Sequence, residues 1–135
     1  DYALGLEGSL KLKEISYIHS EAYASGELKH GTISLVEEGT LVVALGTYDR
    51  LFEKAMSNVV EVKARGADVL ALTTESHSGE MEKTADGVMT IPDTHELLLP
   101  SLGVVPLQLF AYYVALMRGC DIDKPRNLAK SVTVE

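Results

Sequence analysis

Leu41-Val42-Val43-Ala44-Leu45, closed by Gly46, is five apolar residues in a row with no charge among them. A run this short that does not alternate with polar residues signals a strand buried on both faces, as strands of parallel sheets are. Downstream, Asp49 stands where a helix N-cap belongs. A helix is predicted over 50–64, stopped by Arg65-Gly66, a basic residue followed by glycine. Asp68 to Thr73 then reads as a second strand and Gly87 to Ile91 as a third. Strands that alternate with helices pair in parallel through right-handed crossovers, so the fold class is α/β, a three-layer sandwich around a mainly parallel sheet.

Upstream of the first strand, Leu6, Leu10, Leu12, Ile15 and Ile18 recur at mostly helical spacing, which predicts a first helix from Tyr2 to about His19. Glu21 to Gly31, broken by Gly26 and Gly31, is expected to form one or two helical turns. Residues 97–117 carry no charge over 21 positions, long enough to cross a bilayer. Pro100 and Pro106 interrupt that stretch, Ser101 and Gln108 are polar, and no basic flank sets an orientation, so it is expected to be a buried helix covering the sheet or a subunit interface. One domain over residues 1–122 followed by a tail over 123–135 is the expected division.

The net charge of -8 and the lack of a basic stripe exclude non-specific binding to nucleic acid. The same charge repels phosphorylated ligands at long range, so a phosphosugar would need local donors. Cys120 is the single cysteine, which excludes an internal disulfide, and the first residues lack the basic start and the apolar stretch of a signal peptide; cytoplasm is the expected compartment. His19, His77 and His95 form no ligand spacing with Cys120 or with carboxylates, so no metal is expected. Nucleotide-binding and serine hydrolase motifs are absent, and no cofactor is expected.

Three places carry groups with chemistry. Glu7, Lys11 and Glu14 sit at i, i+4 and i+7 and share one helix face, where Glu7 and Lys11 have the favourable order for an ion pair. By periodicity alone that face is a solvated charged stripe. His30 stands between Gly26 and Gly31, with an imidazole able to act near neutral pH, and Lys130 stands in the tail.

Two segments and a helix are more specific than this. The ending Pro125-Arg126-Asn127-Leu128-Ala129-Lys130-Ser131-Val132-Thr133-Val134-Glu135, the stretch Glu27-Leu28-Lys29-His30-Gly31 and the run from Leu6 to His19 resemble the C-terminal part of the glutamine:fructose-6-phosphate aminotransferases. The resemblance implies a sugar isomerase (SIS) domain of flavodoxin-like type, whose first strand lies upstream of the match to Asp1 and is lacking here. It implies that Glu14 moves a proton between C1 and C2 of the open-chain sugar with Lys11 assisting, that His30 opens the sugar ring in the neighbouring subunit, and that Lys130 forms a Schiff base with the ketose. Glu7, Arg126 and Asn127 fall on the substrate-binding side, and Thr32 stands where many members carry proline.

The substrates so implied are fructose 6-phosphate and glutamine-derived ammonia, the product is glucosamine 6-phosphate, and a homodimer follows from the shared histidine. The partners in the parent chain would be a glutaminase and a first SIS domain, and the isolated chain is expected to be inactive. Ser76-His77-Ser78-Gly79-Glu80 resembles the phosphate loop of that first domain but follows the wrong strand, so a surface turn is expected there. The rival readings are a sensor domain of the same fold that binds a phosphosugar without turning it over, and a deglycase of that fold. Neither a sensor's binding nor the fold itself requires Lys130 or the Lys11 and Glu14 pair.

Overall fold

A computed structural model of the chain describes residues 1–128. Helix α1 (Tyr2–Ser16) comes first, followed by two 3-10 turns (Ser25–His30 and Thr32–Leu35) and then by β1 (Leu41–Gly46), α2 (Phe52–Lys63), β2 (Asp68–Thr74), α3 (Glu75–Met81), β3 (Gly87–Ile91) and α4 (Leu99–Met117). The strands form one sheet in the order β1-β2-β3, parallel throughout, with Leu72 of β2 opposite Leu45 of β1 and Met89 of β3.

Alternation along the strands decides which layer each side chain serves. Val69 and Ala71 of β2, with Val42 and Ala44 of β1, meet Phe52, Val59 and Val62 of α2 and Met81 of α3. Leu72, one step out of phase, joins Ile91 of β3 beneath Leu4 of α1 and Leu99 and Leu107 of α4. The sheet is therefore covered by α1 and α4 on one face and by α2 and α3 on the other, the three layers expected from the strand and helix alternation.

Two glycines set the spacing of α1 and α4. A Cβ on Gly8 would stand 2.8 Å from Leu107 Cδ1, and one on Gly103 would stand 2.7 Å from Leu4 Cδ2. Both distances are below carbon–carbon contact, so a larger residue at either position would have to push the facing leucine aside. Pro100 sits in the first turn of α4, where a missing N–H costs nothing, whereas Pro106 lies inside the helix.

Several expectations are corrected. β1 is not buried on both faces: Leu41 is exposed and Val42 to Leu45 are half-buried, because β1 pairs only with β2 among the described residues and stands at the edge of the sheet. The best-covered strand is β2, which buries Val69 and Ala71 to Thr74. α1 stops at Ser16 rather than His19 because Tyr17 takes the left-handed conformation, φ 60 and ψ 22. Asp49 does not cap α2; its carboxylate faces His77 Nε2 at 2.9 Å, and a 3-10 turn (Asp49–Leu51) leads into the helix. Residues 76–79 belong to α3 and are not a turn. α4 buries only the stripe Leu99, Gly103, Leu107, Ala111 and Ala115, while Val105, Leu109, Tyr112, Tyr113 and Leu116 stay exposed. It is the one helix among the described residues long and apolar enough to cross a membrane, and its buried stripe packs on α1 and the sheet.

Asp86, in the turn before β3, ties two layers together. It accepts from the Val69 backbone N–H at 2.6 Å and from Lys63 Nζ at 2.7 Å. The Lys63 hydrogen bond first, and the Val69 N–H second, hold its carboxyl below the ordinary 3.8. A depressed folded-state pKa contributes stability that is present above the unfolded value and lost as pH falls through the folded one. Asp86→Asn is therefore expected to lower the melting temperature at pH 7, with the gap to the native chain narrowing as pH falls below the ordinary 3.8 and through the lower folded-state value. Thermal melts at pH 7 and pH 3 read this directly, and a gap of equal size at both would refute it.

Candidate active site

The helical spacing of α1 brings its three charged groups together as expected, but with a different preference. Lys11 Nζ lies 2.7 Å from Glu14 Oε2 and 3.6 Å from Glu7 Oε1, so the closer pair is the i,i+3 one. All three side chains are partly covered, with Lys11 at 32% and Glu14 at 29% exposure. The pair is thus neither a bare surface bridge nor a buried one. Hydrogen bonding to Glu14, ahead of partial burial, which opposes it, raises the Lys11 ammonium above its usual range. The ammonium stays protonated throughout the neutral range and keeps a positive charge against the Glu14 carboxylate.

Lys11 also lines an open groove of ≈ 370 Å³ between α1 and α4, with Ile15 on its own helix and Val105, Gln108, Leu109 and Tyr112 across from it. An apolar wall with one cation and one amide is the usual composition of a small-molecule site. A carboxylate held 2.7 Å from an ammonium is equipped to take and return a proton, while the cation balances negative charge that develops nearby.

The other predicted residues lie elsewhere. His30 ends the first 3-10 turn, exposed, with Nδ1 2.9 Å from Glu27 Oε2, and among the described residues it touches neither Lys11 nor Glu14. Its turn is fastened to the body by Leu28, which packs on the α2 core, and by Lys29, 2.7 Å from Glu61. Arg126 and Asn127 are exposed; the Arg126 guanidinium lies 4.1 Å over the Tyr17 ring, and its backbone N–H donates to Tyr17 Oη at 2.9 Å. Lys130 lies outside the described residues.

The segment resembling a phosphate loop is differently employed. Ser76 Oγ donates to Asp93 at 2.6 Å, and the Ser76 backbone N–H donates to the same carboxylate at 3.2 Å. These bonds hold Asp93 ionised below its usual range, so a negative charge already occupies the start of α3. His77 stacks on Phe52, ring centroids 3.9 Å apart. Among the described residues no cluster has metal-ligand geometry. Tyr17 is the residue that sequence reasoning passed over, because its partner Arg126 is 109 positions away and no local pattern links them.

A parallel sheet covered by helices on both faces defines a three-layer α/β domain. The chain belongs to the SIS domain family, whose model matches residues 1–118. Over all 135 residues it is 65% identical to a glutamine–fructose-6-phosphate aminotransferase (isomerizing) of Caldanaerobacter subterraneus subsp. tengcongensis, of which it spans 22%. It superposes with TM-score 0.86 and 41% identity on the C-terminal domain of glucosamine-fructose-6-phosphate aminotransferase from Francisella tularensis, over 92% of this chain and 35% of that one. A glucosamine-6-phosphate deaminase from Thermotoga maritima matches with TM-score 0.76 and 33% identity, over 97% of this chain and 37% of that one. The chain is therefore about a fifth of the length of the aminotransferase it most resembles in sequence among these.

Proposed function

We propose that the chain is the isomerase domain of an enzyme that makes glucosamine 6-phosphate from fructose 6-phosphate and glutamine-derived ammonia. The observation that carries this reading is the Lys11 and Glu14 pair at 2.7 Å beside the groove. Its support is the identity of 65% across every residue to an aminotransferase of that activity.

In this reading the Lys130 amine adds to the C2 carbonyl of the open-chain ketose and water leaves, giving an imine that ammonia then displaces. Glu14 takes a proton from C1, the C1–H electron pair forms a C1=C2 double bond as the C2=N pair moves to nitrogen, and the resulting enaminol takes a proton back at C2 from Glu14 while the C1 hydroxyl gives up its own proton to solvent and becomes an aldehyde. Lys11 stabilises the charge that develops on the sugar oxygen. His30 would act in ring opening in a second subunit, which its exposed position permits. A homodimer, a glutaminase and another SIS domain in the parent chain, and a cytoplasmic setting belong to the same proposal.

The test uses the full-length protein with fructose 6-phosphate and borohydride, which reduces a C2 imine to a stable secondary amine. Peptide mass spectrometry should place the added hexitol phosphate on Lys130, and Lys130→Ala should abolish labelling. Tight binding of fructose 6-phosphate with no labelling of the native protein would reject the reading in favour of a sensor.

A further inference from the structure

The turn that carries His30 is a 3-10 helix, Ser25–His30, and its six residues form three rows of two. At 3.0 residues per turn, side chains at i and i+3 eclipse, whereas an α-helix leaves them about 60° out of line. Two of the rows are fastened to α2. Ser25 Oγ accepts from Asn58 Nδ2 at 3.0 Å and Leu28 packs on the α2 core, while Lys29, which shares its row with Gly26, lies 2.7 Å from Glu61. Gly31 closes the turn at φ 147, a conformation that residues with a Cβ rarely adopt. The third row, Glu27 and His30, faces solvent, with the side chains 68% and 73% exposed.

Within that row, His30 Nδ1 lies 2.9 Å from Glu27 Oε2. An ionised carboxylate only accepts, so Nδ1 carries the proton, and in the neutral ring Nε2 keeps its lone pair. Lys29, the one cation on the turn, is engaged by Glu61 of α2 and does not compete for the Glu27 carboxylate. We propose that Glu27 is the positioning residue for His30: it fixes the ring and its tautomer, so that Nε2 is the base that opens the sugar. The proposal deepens the functional reading above and rests on it for the role of His30, though not for the orientation itself.

In the step, Nε2 takes the proton of the anomeric hydroxyl on C2, and the O–H electron pair becomes the second bond of C2=O. The bond from C2 to the ring oxygen breaks, and that oxygen takes the proton back from the imidazolium. One nitrogen thus serves as base and then as acid. A ring in the other tautomer presents an N–H where the base is needed and cannot begin. Between the two transfers the carboxylate stabilises the imidazolium. Because both side chains are exposed, their bond contributes little to folding, and its worth lies in orientation.

The experiment uses the full-length protein with Glu27→Ala and Glu27→Gln, beside His30→Gln as the reference for loss of the imidazole. Glucosamine 6-phosphate formation should fall about tenfold in Glu27→Ala, the lower end of what an orienting carboxylate behind a histidine contributes. It should fall by less in Glu27→Gln, whose amide oxygen still accepts the Nδ1 proton. The 5-deoxy analogue of fructose 6-phosphate lacks the hydroxyl that closes the ring, so Glu27→Ala should turn it over as fast as the native protein does. A general disturbance of the turn would slow both sugars alike. With histidine labelled by 15N, the His30 signals, identified by their loss in His30→Gln, should place the proton on Nδ1 in the native protein and on Nε2 in Glu27→Ala. Native-rate turnover of fructose 6-phosphate in Glu27→Ala, equal slowing of the two sugars, or an unchanged tautomer would overturn the proposal. If His30→Gln itself turns over fructose 6-phosphate at the native rate, the functional reading of His30 fails, and the tautomer still decides the orientation by itself.

Discussion

Glu14→Gln in the full-length protein is expected to lower glucosamine 6-phosphate formation by about 10²–10⁴-fold, the range that general acid–base catalysis supplies. The amide keeps the shape of the side chain and its carbonyl still accepts from Lys11, which stands 2.7 Å away. It cannot take a proton from carbon. Because the side chain is partly exposed and the Lys11 partnership survives in neutral form, folding should be nearly unaffected. Replacing the carboxylate by a neutral acceptor weakens the hydrogen bond and removes the charge that together raise the Lys11 ammonium, whose pKa should fall toward its usual value. Steady-state turnover with a melting curve alongside reads both effects. A loss of only a few-fold at full stability would mean that another group moves the proton and that the α1 pair is a structural bridge.

Leu72→Ala is expected to cost about 2–5 kcal/mol, the range for removing a buried leucine from a packed core. Leu72 is fully buried on β2 and touches the layer formed by Leu4, Ile91, Leu99 and Leu107. No neighbour can collapse into the space easily, since β2 is held on both sides by parallel pairing. Both walls of the groove, α1 and α4, rest on this residue, so its loss should loosen the site as well as the core. A drop in the urea midpoint of the chain at constant m-value is the measurement, and a cost under about 1 kcal/mol would mean the layer repacks.

Much of the architecture was legible because its signals are local. The predicted third strand coincides with β3 from Gly87 to Ile91, and Arg65-Gly66 does mark the end of α2, with Gly66 at φ 89. What escaped depends on partners far along the chain. A hydroxyl-rich stretch with a glycine gives no reason to expect α3, yet the Ser76 N–H at its start is satisfied by Asp93, 17 residues on. The continuous apolar run of β1 implied two covered faces, but how a strand is flanked is a matter of pairing, and β1 has one neighbour. The outer face of α4 is as apolar as its inner one, so no periodicity separated the two. At the site, the charged face of α1 was readable from spacing, although Lys11 turned to Glu14 in preference to Glu7. The role of His30 was suggested by resemblance alone, and in the structure its ring meets Glu27.

The partnership of Lys11 with Glu14 spans less than one turn of α1, and no loop, crossover or strand register enters its geometry. Whatever length the β1–α2 and β3–α4 connections drift to, and however the domain tilts against a neighbour, the ammonium and carboxylate travel together as one rigid instrument. Sequence change is therefore free to reshape what surrounds the pair without altering its internal geometry, and natural variants should differ in the lengths of those connections sooner than in the spacing of Lys11 and Glu14.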